Sequence, residues 1–256
     1  MAILSASQVS HYFGGLAAVS DFNLDLEPGE LMGIIGPNCA GKTTVFNLLS
    51  GVYKATEGSI SFDGHEIVGR RPDQITALGM ARTFQNIRLF KDLTVLDNVR
   101  IACYSQSDYN PLEALFRIGR YHRQEREIAK RSMDLLSIFN LEGYAQDISQ
   151  NLPYGLQRRL EIARALATGP KVLLLDEPAA GMNPAEVIQL MDLIQEIRRQ
   201  FQLTILLIEH QMQLVMGICE RLIVLDFGAT IATGVPEAIK NNRKVLEAYL
   251  GEEVVY

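Results

Sequence analysis

Leu31-Met32-Gly33-Ile34-Ile35-Gly36-Pro37-Asn38-Cys39-Ala40-Gly41-Lys42-Thr43-Thr44 reads as an apolar strand running straight into a glycine-bearing loop. Leu31–Ile35 is short and apolar, as a buried strand is. The segment from Gly36 to Thr43 matches the Gly-x4-Gly-Lys-Ser/Thr pattern of a phosphate-binding P-loop. In that pattern backbone N–H groups of a tight loop point at phosphate oxygens, helped by the positive end of the next helix. Lys42 neutralises charge on the β- and γ-phosphates, and the Thr43 hydroxyl is a Mg2+ ligand. A helix from Lys42 to about Ser50, ended by Gly51 as a left-handed cap, is expected. The strand before the loop and the helix after it are the context that a chance glycine turn lacks.

A second apolar strand, Val172–Leu175, ends in Asp176-Glu177-Pro178. A carboxylate at such a strand tip holds Mg2+ through water, and Glu177 beside it is placed to polarise an attacking water. Alone, these acids would read as a solvated pair; with the phosphate loop in the same chain they read as a metal and water site. Further strands are expected at Ser59–Phe62, Ala81–Phe84, Thr204–Ile208 and Leu222–Leu225. Residues 3–35 alternate apolar and polar around turn signals at Gly14-Gly15 and Pro28-Gly29. Asn183 caps a helix with Pro184 at its first position, and Val187, Leu190, Met191, Ile194 and Ile197 form its apolar stripe. Alternating buried strands and helices predict an α/β fold with a mainly parallel sheet covered by helices.

From Asp92 to Leu141 the character changes. Leu135, Leu136 and Phe139 recur at helical spacing and charges crowd Arg117–Arg131, which predicts a mostly helical insertion with Asp108–Pro111 as a loop. Helical turns close the chain from Pro236 to Leu250. The 256 residues suit one large domain or one domain with a sizeable insertion, and 48% apolar content is ample for a core. A net charge of −6 argues against a nucleic-acid binder. No run approaches the roughly 20 apolar residues that span a bilayer. Met1-Ala2-Ile3-Leu4 lacks the layout of a signal peptide. Cys39, Cys103 and Cys219 are scattered without metal-ligand spacing, which fits a reducing cytosol. Any membrane role would therefore come through a partner.

With these residues in place, the chain resembles the ATP-binding subunits of ABC transporters over nearly its whole length. Phe13 lies where that family stacks an aromatic ring on adenine, with Tyr12 as the alternative. Gln85, after Ala81-Arg82-Thr83-Phe84, matches the Q-loop. Leu152-Pro153-Tyr154-Gly155-Leu156-Gln157 matches the signature Leu-Ser-Gly-Gly-Gln, Gly181-Met182-Asn183-Pro184 the D-loop, and His210 the switch histidine. The segments Ala81–Phe90, Arg158–Ala165, Ala179–Pro184, Ile208–His210 and Tyr249–Glu252 are similar to the LivG-type ATPases of branched-chain amino-acid uptake. ATPases of the lipopolysaccharide-export type and of urea or amide uptake are the alternatives. A chromosome-maintenance ATPase of the same superfamily would carry a long coiled coil between Q-loop and signature, and Gln85–Leu152 has no heptad run.

The resemblance implies a RecA-like P-loop NTPase core with an antiparallel β-subdomain over 1–91 and 156–235. A helical subdomain over 92–155 and a C-terminal helical segment over 236–256 complete it. It also implies two ATPase subunits head to tail, with ATP between the P-loop of one and the signature of the other. Phe13 and Gly36–Thr44 would hold the chain's own ATP, and Tyr154, Gly155, Leu156 and Gln157 that of the partner. Thr43, Gln85 and, through water, Asp176 would hold Mg2+. Glu177 would be the general base or water orienter, acting with His210, Gln85 and Lys42. The implied partners are a second ABC ATPase subunit (identical or different), two transmembrane permease subunits and, indirectly, an extracytoplasmic substrate-binding protein; no nucleic acid is implied. The implied location is cytoplasmic, peripheral on the inner face of the membrane.

Several positions depart from the family pattern. Cys39 stands where Gly is usual, and a left-handed backbone there would strain it by roughly 1–2 kcal/mol. Pro153 removes the signature hydroxyl and has no N–H, Tyr154 replaces the first signature glycine, and Leu156 replaces a polar residue. Asn183 replaces the D-loop aspartate, and Gln211 follows His210 where an acid is common. Cys39 and Pro153 together motivate a further alternative, a nucleotide-binding subunit with weak turnover of its own.

Overall fold

The computed structural model describes residues 1–106 and 120–250, and the chain divides into two compact units, Met1–Arg82 with Lys171–Tyr256, and Thr83–Pro170. The helical unit is wider than the expected 92–155, taking in 83–91 and 156–170 as well.

In the first unit, β1 (Leu4–Phe13) and β2 (Leu16–Leu26) form a hairpin around Gly14-Gly15, with Leu4 opposite Leu26 and Phe13 opposite Leu16. With β4 (Glu57–Phe62) and β5 (His65–Glu66) they make an antiparallel sheet in the order β2-β1-β4-β5. The second sheet holds β3 (Leu31–Ile35), β6 (Met80–Arg82), β7 (Val172–Asp176), β8 (Thr204–Ile208), β9 (Arg221–Asp226) and β10 (Ala229–Gly234). Its order is β10-β9-β3-β8-β7-β6, parallel except for β10 against β9. Every residue of β3, β7 and β8 is buried, which explains their unbroken apolar runs. The expected strand over Ala81–Phe84 lies instead at Met80–Arg82, because pairing with β7 ends at Arg82 opposite Leu174.

Register decides where chemistry can occur. Ile34 and Asp176 are both paired with Ile208, and Ile35 with Val224, so β3, β7 and β8 end level. The residues after those ends are Gly36, Glu177 and Glu209. A parallel sheet binds ligands at its strands' carboxyl ends.

The helix Lys42–Leu49 follows the loop, with Ser50 as its cap residue and Gly51 at φ 73 after it. The helix Pro184–Phe201 starts at a capping box: the Asn183 side chain accepts from Ala185 N (3.0 Å) and Glu186 N (3.1 Å), while Glu186 accepts from Asn183 N (2.9 Å). Its buried face is Val187, Leu190, Leu193, Ile194 and Ile197; Met191, expected there, is only half-buried and Leu193 takes its place. Helices Pro72–Leu78, Met212–Ile218, Pro236–Lys240 and Arg243–Leu250 complete this unit.

The other unit is helical, with Val95–Cys103, Tyr121–Ile138 and Tyr154–Ala167 as its longer elements. Thr94 caps the first by accepting from Asp97 N (3.0 Å). Leu135, Leu136 and Phe139 are buried as their spacing predicts. The loop expected at Asp108–Pro111 lies outside the described residues. Among the described residues no helix is long and apolar enough to cross a membrane.

Candidate functional site

The loop after β3 is shaped for phosphate. Gly36 has φ 150 and Gly41 φ 99, both outside the range of ordinary side chains. A Cβ at Gly36 would collide with the Leu225 carbonyl, and one at Gly41 would come within 2.7 Å of the Ala18 carbonyl. The helix beginning at Lys42 has no side-chain cap, so no side chain of its own competes for the N–H groups of its first turn. Lys42 folds back over the loop, donating to the carbonyls of Gly36 (2.8 Å) and Pro37 (2.7 Å). Ala40 is buried, Pro37 and Thr44 are half-buried, and Asn38, Cys39 and Thr43 are exposed. Cys39 has φ 65, so the left-handed backbone that strains a non-glycine residue is present.

The acids lie with the lysine. Burial lowers the pKa of Lys42, while the negative charges of Glu177 and Asp176 and the nearby Cys39 oppose that shift. Asp176 is buried and paired with Arg82 at 2.8 Å. Glu177 has φ 47, a second strained position, held by its N–H to the Ile208 carbonyl (2.9 Å). His210 is exposed, its Nδ1 3.9 Å from Glu177 Oε2. The structure therefore brings together Lys42, Asp176, Glu177 and His210.

Sequence reasoning missed three residues around this group. Glu209 is fully buried and ties two loops: Oε1 accepts from Ala179 N (2.8 Å), and Oε2 from His210 N (2.9 Å) and Gln211 N (3.2 Å). Gln211 completes the tie by donating to the Ala179 carbonyl (2.9 Å), a bond that an acid could not make. Arg82 reaches Asn47, Ser50 and Asp176. Tyr249, though partly exposed, has its pKa raised by partial burial, and the Gly36 backbone nearby opposes that rise. Each lay inside a quoted motif; burial sets Glu209 and Arg82 apart, and Tyr249 is set apart only by its closeness to the Gly36 backbone.

Phe13 is exposed at the end of β1, packed edge-on against His11 (4.7 Å) and Tyr53 (5.4 Å); Tyr12 is exposed too. Such a ring face suits stacking on a base.

Gln85 and the signature-like residues belong to the helical unit. Gln85 is exposed, and its carbonyl accepts from Arg158 (2.7 Å). Tyr154 is exposed and Gly155, Leu156 and Gln157 are half-buried, so Leu156 shares the buried face of Leu160, Ala163 and Ala167 only in part. Pro153 caps that helix with its backbone alone, its carbonyl accepting from Leu156 N and Gln157 N (both 3.0 Å).

The donor set fits a magnesium nucleotide. Mg2+ is usually held by one or two protein groups plus substrate phosphates, which Thr43 and Asp176 can supply.

Comparison with known proteins agrees with this geometry. The family model described as "ABC transporter" matches residues 19–180. The chain is 46% identical, over 98% of its own length and 98% of theirs, to two curated proteins. These are the high-affinity branched-chain amino acid transport ATP-binding proteins BraF of Pseudomonas aeruginosa and LivG of Escherichia coli K12. The chain belongs to the ABC transporter ATP-binding proteins. A second model, "Branched-chain amino acid ATP-binding cassette transporter", matches residues 229–255 of this ATPase. Its fold is that of an ATP-binding cassette solved in its ADP conformation, with TM-score 0.84 and 30% identity over 98% of this ATPase and 99% of that chain. An ABC ATPase couples ATP hydrolysis to transport as part of a transporter complex.

Proposed function

We propose that this ATPase energises an importer of branched-chain or related amino acids, docked on the cytoplasmic face of two permease subunits and fed by an extracytoplasmic binding protein. The observation that carries the substrate class is 46% identity, along 98% of the chain, to BraF and LivG. Gly36–Thr44 would hold the phosphates, Phe13 would stack on the base, and Thr43, Gln85 and, through water, Asp176 would hold Mg2+. Magnesium, when bound, neutralises charge on the phosphates. Lys42 stabilises the charge that develops as the terminal phosphate leaves. Glu177 acts as general base toward the attacking water or orients it, and His210 contacts the terminal phosphate. Tyr154, Gly155, Leu156 and Gln157 meet the nucleotide of a second ATPase subunit.

Exposed Phe90, Leu93 and Ile101 on the helical unit support docking on a membrane partner. A subunit of weak turnover is the second reading, because Pro153 offers the partner's nucleotide neither hydroxyl nor N–H.

The test is reconstitution of the ATPase with its permeases and binding protein in proteoliposomes. ATP-driven uptake of labelled leucine, abolished by Glu177→Gln with nucleotide binding retained, is the expected result. Hydrolysis without uptake of leucine, isoleucine or valine would overturn the substrate class. Absence of hydrolysis in the assembled complex would favour the second reading.

A further inference from the structure

Arg82 ends β6, next to β7 in the sheet, yet its side chain is only 6% exposed. It has partners on two elements. Nη2 donates to Asp176 Oδ2 at 2.8 Å, at the end of β7. Nη1 donates to Asn47 Oδ1 at 2.7 Å and to Ser50 Oγ at 2.9 Å, on and just after the helix Lys42–Leu49. The guanidinium also lies 5.4 Å from the centre of the Phe46 ring, which limits its own freedom. Asn47 is one helical turn after Thr43 on the same face. Arg82 therefore bridges the helix that carries Thr43 and the strand that carries Asp176.

We propose that Arg82 is a positioning residue that fixes the spacing between Thr43 and Asp176, and so sets how much magnesium strengthens nucleotide binding. This rests on the proposed nucleotide site. The planar fork is what the task requires: one group serves a carboxylate on one side and an amide and a hydroxyl on the other. A lysine has no such fork and cannot reproduce both sides. Mg2+ demands near-ideal octahedral geometry, so small errors in the spacing of its protein groups weaken it more than they weaken phosphate binding to the loop.

The experiment titrates a fluorescent ADP analogue against the purified ATPase, once with magnesium chloride and once with EDTA. The ratio of the two affinities is the magnesium gain. In Arg82→Gln the gain should fall at least fivefold while the EDTA affinity stays within twofold of wild type. Arg82→Lys should lie between. Equal losses with and without magnesium would mean a merely structural role and overturn the proposal. An unchanged gain overturns it, and so does a larger one, which would show that the positive charge of Arg82 outweighs its bonds. If Arg82→Gln does not fold, Asn47→Ala and Ser50→Ala each remove one anchor and should each lower the gain two- to threefold; no change in both is equally fatal. A wild type that binds nucleotide with no magnesium gain would defeat the magnesium-site reading on which the proposal rests, and one that binds no nucleotide would defeat the nucleotide-site reading, whatever the variants do.

Discussion

Cys39 carries two opposing consequences of one φ angle. At φ 65 a non-glycine residue costs about 1–2 kcal/mol, and a glycine would remove that cost. Glycine would also lose more entropy on folding, about 0.5–1 kcal/mol. Cys39→Gly should therefore raise stability by between about 0 and 1.5 kcal/mol, which thermal denaturation would resolve. Chemistry separates the residue more sharply. Cys39 is exposed, whereas Cys103 and Cys219 are buried, and burial pushes the Cys219 thiol up to about 12. At pH 8 iodoacetamide should modify Cys39 alone, block ATP binding, and be slowed by ATP already bound. Mass spectrometry of the alkylated chain with a nucleotide titration checks both; full modification with unchanged affinity would contradict the placement of Cys39 at the phosphates. The strain at Cys39 was legible in the sequence, since the motif itself prescribes a backbone. Strain at Glu177 was not, because nothing in Asp-Glu-Pro distinguishes φ 47 from an ordinary extended residue.

At the scale of elements, the helix Tyr154–Ala167 shows what periodicity conceals. Arg158 and Glu161 were read only as part of a family pattern, Arg158–Ala165, and both are fully buried. Arg158 pairs with Glu161 at 2.7 Å and donates to the carbonyls of Phe84 (2.7 Å) and Gln85 (2.7 Å). Glu161 in turn accepts from Phe84 N (3.4 Å) and Arg88 N (3.2 Å). The pair therefore clamps the segment around Gln85 to the helix that follows the signature. A charged residue on a helix is usually solvated, so only the fold reveals such a clamp. Arg158→Met leaves a buried carboxylate unpaired and should cost about 3–5 kcal/mol. Adding Glu161→Leu should recover part of that loss but not all, because the part-buried carbonyls of Phe84 and Gln85 still lose the donor that Arg158 supplied. The pH dependence has a definite sign. Burial raises the Glu161 pKa and Arg158 opposes the rise. A carboxyl raised in the folded state favours folding below its unfolded pKa, and this is lost as pH climbs through the folded value. Without Arg158 the rise is larger, so Arg158→Met should cost more at pH 8 than at pH 5. Urea denaturation at the two pH values tests this, and a cost independent of pH would place the whole loss in packing.

For the whole molecule, sequence periodicity was enough to place β3, β7 and β8, because strands buried on both faces are written as unbroken apolar runs. Which residues cross-link their ends was not readable, since Arg82, Glu209 and Tyr249 act through tertiary contacts that have no period. The composition of the working pair is set at this same scale, and Cys39 offers a way to count it. In the proposed pair its adduct would act on the chain's own nucleotide, whereas Pro153 would face the nucleotide of a partner. In a pair of two identical copies, alkylating Cys39 removes both nucleotide sites, and bound labelled ATP should fall from about two per pair to none. In a pair with a different ATPase that lacks a cysteine at this position, it should fall from about two to about one. Equilibrium dialysis of the assembled complex in a Glu177→Gln background, where ATP is not consumed, reads the number directly. Two nucleotides per pair after full alkylation would contradict both arrangements and return Cys39 to a surface position with no part in binding.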